Sequence, residues 1–247
     1  MDQRKGTIDI LGIPVDNVTM GDALSAFDGF LNGKSMAWIA TPNAEIVSQA
    51  SGDSSLAQLL MSADLVIPDG VGLLHASRML GRPLRERVAG IDFAHCALKR
   101  CAANGVSVYF LGGRPGISEQ AAANKMRDIP GLRIAGTHHG YFEQSDTASI
   151  VEAINESGAG FLCVALGFPK QERFLLENKN ALHMKAGIGI GGSFDVWAGA
   201  LKRAPKIFRS FGLEWLYRLG QEPSRIKRIA TLPLFLVRVA AQKVSGA

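Results

Sequence analysis

The sequence predicts an α/β fold: a mostly parallel sheet with helices on both faces, followed by a basic helical C-terminal appendage. Three observations carry this expectation. Short β-rich runs alternate with helical patterns almost to residue 195 of 247. Several runs are apolar throughout rather than alternating, the pattern of parallel strands buried on both faces. Finally, ten of the 27 Lys/Arg but only two of the 22 acids lie from Lys202 onward, so this stretch carries +8 and the body before it −3.

The elements follow in order. TIDILGIPV (7–15) reads as a strand or hairpin arm, and Thr19 caps a helix over MGDALSAFDGFL. MAWIAT (36–41) is a strand, NAEIVSQA and SLAQLLMSA are helices, and LVIP (65–68) is a second strand. VGLLHASRML and IDFAHCALKRCAANG are helical, the latter ending at a glycine, before the strand SVYFLGG (107–113). Pro115 or Ser118 opens the helix GISEQAAANKMRDI, and LRIAGTHHG (132–140) returns as a strand. SDTASIVEAINESG has an acid-rich start and a glycine stop. GFLCVALG (160–167), the helix PKQERFLLENKNAL and the strand KAGIGIGG (185–192) complete the pattern. No repeat, low-complexity tract or linker interrupts it. One α/β core over residues 1–204 and an appendage over 205–247 are therefore expected.

Composition narrows the class. Hydrophobic residues make up 47% and charged residues 20%, an ordinary soluble balance. Cys96, Cys101 and Cys163 are too few and too oddly spaced for a disulfide framework or zinc site, and read as small core residues of a reducing compartment. The N-terminus lacks the apolar core of a signal peptide, and no run reaches the roughly eighteen apolar residues of a spanning helix. A cytoplasmic protein is expected.

The appendage has its own character. KIFRSFGLEWLYRLG places Phe208, Phe211, Trp215, Leu216 and Leu219 along one helical stripe, which suits either core packing or a surface. Arg225, Lys227 and Arg228 then precede the apolar run Leu232 to Val237. Basic residues beside apolar and aromatic ones favour an anionic membrane surface as partner, and nucleic acid is disfavoured.

In a parallel sheet, ligands bind where strand C-terminal ends lead into helices. The unusual residues cluster there: TPNAE (Thr41, Asn43, Glu45), IPDG (Asp69), LGGRPG (Gly112, Gly113, Gly116), THHGYF (Gly140, Tyr141), ALGFPKQE (Gly167, Gln171) and GIGGSFDVWAG (Gly191, Gly192, Asp195). Each has an ordinary explanation as well. Asp69 suits a helix N-cap, Thr41 and Asn43 a cap and turn, Gln171 and Glu172 an exposed helix start, and Arg87 a solvated charge. LGGRPG and GIGIGG lack the G-x-G-x-x-G spacing, and no phosphate-loop motif is present. The Asp-x-Asp clasp is missing. His138 and His139 fall near a strand end, where adjacent side chains are expected to point to opposite faces, a poor metal site. No metal and no cofactor are expected.

Taken together, TPNAE, IPDGVG, RVAGID, LGGRPG, GYF, ALGFPKQE, GIGGSFDVWAGALKRAP and LEWLYRLGQEPSRIKR resemble the WecG/TagA/CpsF family of bacterial glycosyltransferases, in order and at family-like spacing from about residue 8 to 230. The resemblance implies a Rossmann-like core and an inverting, metal-independent transfer from a UDP-sugar to a polyprenyl-diphosphate-linked saccharide at the inner membrane face. N-acetylmannosamine, its uronic acid and glucose all occur as transferred sugars in that family, whose products are cell-surface polysaccharides. It assigns Asp69 as general base, with Thr41 and Asn43 holding the sugar or orienting the base. Gly112, Gly113, Gly140, Tyr141, Gln171, Gly192 and Asp195 match positions near the nucleotide-sugar. Arg87, Arg218, Arg225 and Arg228 are implied to meet the diphosphates. A homo-oligomer is compatible with it. Two other readings remain open: a nucleotide-dependent oxidoreductase of similar fold, which would need a Gly-rich turn after the first strand, and a non-catalytic membrane-surface protein.

Overall fold

Strands buried on both faces have to be covered on both faces, and the computed structural model meets that demand with two helical layers. It describes residues 6–210, 213–221 and 231–245. The chain opens with a hairpin, β1 (Thr7–Ile10) and β2 (Ile13–Asp16), turned by Leu11 and Gly12, both at positive φ. That pair of left-handed residues gives a tight two-residue turn whose twist matches its strands. Helix α1 (Met20–Leu31) starts at Thr19, whose hydroxyl accepts from the Asp22 amide while the Asp22 carboxylate accepts from the Thr19 amide. The predicted cap is thus a reciprocal capping box.

The main sheet contains β3 (Ala37–Ala40), β4 (Leu65–Val66), β5 (Val108–Gly112), β6 (Ile134–His138), β7 (Phe161–Ala165) and β8 (Ala186–Gly189). All pairings are parallel, in the order β4-β3-β8-β7-β5-β6. Side chains alternate between two cores. Trp38, Tyr109, Leu111, Leu162 and Val164 enter one; Ile39, Val108, Phe110, Phe161 and Cys163 enter the other. Helices α2 (Ala44–Ala50), α3 (Ser54–Met61), α4 (Val71–Met79), α7 (Thr147–Glu156) and α8 (Lys170–Glu177) feed residues to the first core, together with the hairpin. Helices α1, α5 (Gly90–Ala103), α6 (Ile117–Asp128) and α9 (Ser193–Trp197) serve the second.

The Gly-rich run at β8 has a packing cause. A Cβ on Gly187 would meet Leu175 and Met36, and one on Gly189 would meet the Gln171 amide at 2.6 Å. Both glycines let α8 press onto the sheet. Cys101 and Cys163 are buried as expected, but Cys96 is only half-buried, because its position on α5 falls outside the face that packs on the sheet.

The single long helix expected over 206–220 is two helices, α10 (Lys206–Ser210) and α11 (Glu214–Gln221), joined through contact between the Phe208 and Tyr217 rings. The last helix, α12 (Thr231–Ser245), packs against α2 and α4 and sends Phe235 and Val239 fully into the first core. Gln242 accepts from the Leu11 amide and donates to Asp9, and Arg238 donates to the Ser48 carbonyl. Part of the apolar run is therefore core, while Leu234, Leu236 and Val237 stay exposed. Among the described residues no helix is long and apolar enough to cross a membrane.

Two substitutions on α12 separate these faces. Phe235→Ala should lower unfolding stability by about 3 kcal/mol or more, a typical cost for emptying an aromatic core site. Val237→Ser, on the exposed face, should change it by less than about 0.5 kcal/mol. Urea unfolding followed by circular dichroism reads both.

Candidate functional site

Thr41 follows β3, Asp69 follows β4 and Ile190 follows β8, three strands that lie side by side. Their ends open into a cavity of about 410 Å³. Its walls include Thr41, Asn43, Glu45, Asp69, His75, Arg87 and Ser193 from the core, with Glu214 and Trp215 from α11 and Leu232 and Leu236 from α12. The volume falls in the range of small-molecule sites.

The local backbone sets each side chain. The Thr41 hydroxyl donates to the Gly189 carbonyl at 2.8 Å, tying the end of β3 to that of β8. Asn43 caps α2, its side-chain oxygen accepting from the Ile46 amide at 3.0 Å. The Asp69 amide donates to the Pro42 carbonyl, so the two strand-end turns are joined through the backbone. Capping, the ordinary explanation for Asp69, does not apply. Gly70 is the N-cap of α4, at φ 85°, and α4 carries no side-chain cap bond. Gly72 then sits so close to Ala44 that a Cβ would lie 2.6 Å from the alanine methyl, which brings α4 against the start of α2.

Arg87 is not a solvated charge. Its Nη2 donates to Glu214 Oε2 at 2.7 Å, and both side chains are largely buried. Beside it Arg203 donates to Asp92 Oδ2 at 2.6 Å, and its Nε lies 4.0 Å from Glu214 Oε1. Burial disfavours the charged Arg203, but the carboxylates of Asp92, Glu214 and Asp69 outweigh it and raise its pKa. Four charges from Arg87, Asp92, Arg203 and Glu214 thus form one alternating chain between the core and α11. Arg203, Asp92 and Glu214 were not singled out from sequence. RVAGID and GALKRAP contain two of the three, but nothing local links positions 92, 203 and 214.

The residues assigned to the nucleotide-sugar lie along the same sheet edge, beyond the cavity wall. The Gly113 amide donates to the Ala165 carbonyl and the Gly140 amide to the Gly113 carbonyl, drawing the ends of β5, β6 and β7 together. Tyr141 is 67% exposed. Gly192 is the N-cap of α9, and Asp195, in that helix, faces Arg114 at 3.7 Å. Ser193, on the cavity wall, connects this group with the first. Arg218 belongs to α11 but its side chain lies outside the described residues, as do Arg225 and Arg228 altogether. Among the described residues no three His, Cys, Asp or Glu side chains group as metal ligands.

Gln171 and Glu172 are not an exposed helix start; they are 3% and 2% exposed. The Gln171 carbonyl accepts from the Gly167 and Gly191 amides, and its NH₂ donates to Glu172 Oε1 at 2.8 Å. Gln171 therefore supports two loops of the site from beneath. Burial pushes the Glu172 carboxyl up to about 7, against the lowering effect of the Gln171 bond. Its Oε2 has no hydrogen-bond partner among the described residues.

Comparison with known proteins gives a consistent result. The model of the family described as "Glycosyl transferase WecG/TagA/CpsF family" matches residues 8–247. Two relatives from Staphylococcus aureus, of strains MRSA252 and MW2, are each 34% identical over 247 residues, covering 98% of this chain and 96% of their own. Both are named N-acetylglucosaminyldiphosphoundecaprenol N-acetyl-beta-D-mannosaminyltransferase.

The Glu172 shift has a signed consequence. A carboxyl raised from 4.5 to about 7 by folding binds more protons folded than unfolded between those values. Its stabilising contribution is full below about 4.5 and is lost as pH rises through about 7, by up to about 3 kcal/mol. Glu172→Gln should flatten the fall in stability between pH 5 and 8. Parallel urea titrations of the two proteins across that range check it.

Proposed function

The chain belongs to the WecG/TagA/CpsF family of glycosyl transferases, and from that membership and the cavity we propose that it moves N-acetylmannosamine or a similar sugar from a UDP-sugar to a polyprenyl-diphosphate-linked saccharide. The observation that carries the reading is the convergence of Asp69, Thr41, Asn43 and Arg87 on one cavity at adjoining strand ends. Acceptor hydroxyl, sugar and diphosphate each need one of these kinds of group. The relatives' names support the transferred sugar and the lipid-linked acceptor.

In the proposed reaction an acceptor hydroxyl oxygen bonds to the anomeric carbon from the face opposite the diphosphate. Its proton passes to the Asp69 carboxylate, and the bond from the anomeric carbon to the diphosphate oxygen breaks, releasing UDP with inversion. Thr41 and Asn43 hold the sugar or orient the base. Their own bonds to Gly189 and Ile46 keep them in place beforehand. Arg87, with Arg218, Arg225 and Arg228 of the tail, neutralises the leaving diphosphate without a metal. Gly112, Gly113, Gly140, Tyr141, Gly192 and Asp195 line the nucleotide's path, with Gln171 supporting the loops below.

The tail also serves the membrane. Leu213, Trp215 and Leu216 of the α11 segment and Leu234, Leu236 and Val237 of α12 are exposed, and several border the cavity. Basic residues beside them suit the anionic inner face of the cell membrane, where the protein is peripheral and a lipid-linked acceptor is at hand.

A panel of UDP-sugars tested with a synthetic lipid-diphosphate N-acetylglucosamine acceptor should give most product with UDP-N-acetylmannosamine. Asp69→Asn should cut turnover by about 10²-fold or more while UDP still binds, as expected for a lost general base. Near-normal turnover of that variant would move the base elsewhere. Activity should persist in EDTA; a strict requirement for added Mg²⁺ or Mn²⁺ would transfer the charge-neutralising role from the arginines.

The membrane role has a separate readout. Replacing Leu234 and Val237 by Ser should reduce sedimentation with phosphatidylglycerol vesicles and spare turnover on a short-chain soluble acceptor. Unchanged sedimentation would remove α12 from the membrane contact.

A further inference from the structure

The cavity carries a contradiction in its charges. The guanidinium among its described walls is that of Arg87. That guanidinium is already occupied, since Glu214 Oε2 lies 2.7 Å from Arg87 Nη2. A diphosphate approaching Arg87 in this arrangement meets a neutralised cation and a carboxylate of its own sign, in surroundings too dry to screen the repulsion.

The same carboxylate has a second cation within reach. Glu214 Oε1 is 4.0 Å from Arg203 Nε, too far for a hydrogen bond, and Arg203 Nε is buried without a hydrogen-bond partner among the described residues. Arg203 is itself held by its Nη2 on Asp92, from α5, so it stays in position whichever way Glu214 turns. A shift of the carboxylate of little more than 1 Å would satisfy Nε and release Arg87. Arg87, a wall residue whose Nε is also buried without a hydrogen-bond partner among the described residues, then carries its full charge at the cavity.

We propose that Glu214 is a handover carboxylate: it holds Arg87 while the site is empty and passes to Arg203 when a diphosphate takes Arg87. Glu214 and Arg203 are thus positioning residues, acting on substrate through Arg87. The handover keeps α11 docked in both states, because each resting place of Glu214 is a core arginine. It rests on the reading that the donor carries a diphosphate.

Isothermal titration of full-length protein with inorganic pyrophosphate and with UDP tests it, using wild type, Glu214→Gln, Arg203→Met and the double variant. Trp215, on the cavity wall beside Glu214, supplies a fluorescence readout of the same events. Glu214→Gln removes the competing charge and should tighten pyrophosphate by about fivefold or more, the scale of a typical coupling between sites. Arg203→Met removes the receiving partner and should weaken it by a similar factor. In the Glu214→Gln background Arg203→Met should have no further effect, because there is no longer a charge to hand over. A purely structural ion-pair chain predicts the opposite sign for Glu214→Gln, with binding lost as α11 loosens; equal or weaker binding by that variant overturns the proposal. Should Arg203→Met fail to fold, the sign of the Glu214→Gln effect still decides. If the pattern holds for pyrophosphate while no UDP-sugar is turned over, the donor reading falls and the handover stands. If pyrophosphate binds none of the four while UDP-sugars are turned over normally, the handover falls and the donor reading stands.

Discussion

All six strands of the main sheet run one way, so all six C-terminal ends emerge on one edge. That constraint shapes everything at the site. Beyond the last ladder bond, each chain has backbone amides and carbonyls that must find other partners. Thr41 takes the Gly189 carbonyl, Asn43 takes an amide of α2, and Gln171 takes the amides of Gly167 and Gly191. The Gly113 carbonyl is taken by Gly140. Residues that look like ligand-binding groups are therefore also the means by which the edge is finished. The two duties are compatible because a side chain fixed by a backbone bond presents its remaining groups in one orientation.

The alternating chain Arg87–Glu214–Arg203–Asp92 answers a different difficulty. Single buried charges cost several kcal/mol in lost hydration, and on the proposed reading a cationic wall for a polyanion cannot be left bare in the empty state. Interleaving carboxylates lowers that cost. It also uses α11, from outside the sheet, as the source of one of them, so the helix that helps wall the cavity also carries the carboxylate held by Arg87. Charge on Arg203 is supported by Asp92, Glu214 and Asp69, so the strand-end edge and α11 share one electrostatic unit.

How much of this could be read from the sequence depended on the range of the signal. Continuous apolar runs marked the parallel strands, since burial on both faces removes the polar alternation. Polar residues just past those runs marked Thr41, Asn43 and Asp69, and the cavity gathers all three. Gln171 and Glu172 were misleading, because a polar pair at a helix start has the pattern of a solvated turn. Gln171 is received by Gly189, on a strand some eighteen residues later, a contact no helical period records. The charge chain was invisible for the same reason on a larger scale: Arg203 and Asp92 are 111 positions apart. The apolar run at 232–237 was readable as buried or exposed but not as both, and it is both.

That double use of the tail has a geometric reason. A cavity of about 410 Å³ is of small-molecule size, and its described walls combine Glu45, Asp69, Arg87 and Glu214 with the apolar Leu213, Trp215, Leu232 and Leu236. On the proposed reading the acceptor must then reach Asp69 with its sugar while its hydrocarbon stays in the bilayer. A wall of helices can offer Glu214 to the cavity and apolar side chains to the outside, which a strand-end loop alone is too short to do. α11 turns Glu214 inward and leaves Leu216 exposed; α12 turns Phe235 inward and leaves Leu234 and Val237 exposed. Because Phe235 and Val239 are part of the core, the exposed Leu234 and Val237 sit on an element anchored in it, and on the proposed reading docking through them would hold the cavity mouth at a fixed height above the lipid. On that reading the composition of the tail, basic and apolar together, follows from having to meet both the cavity and the membrane.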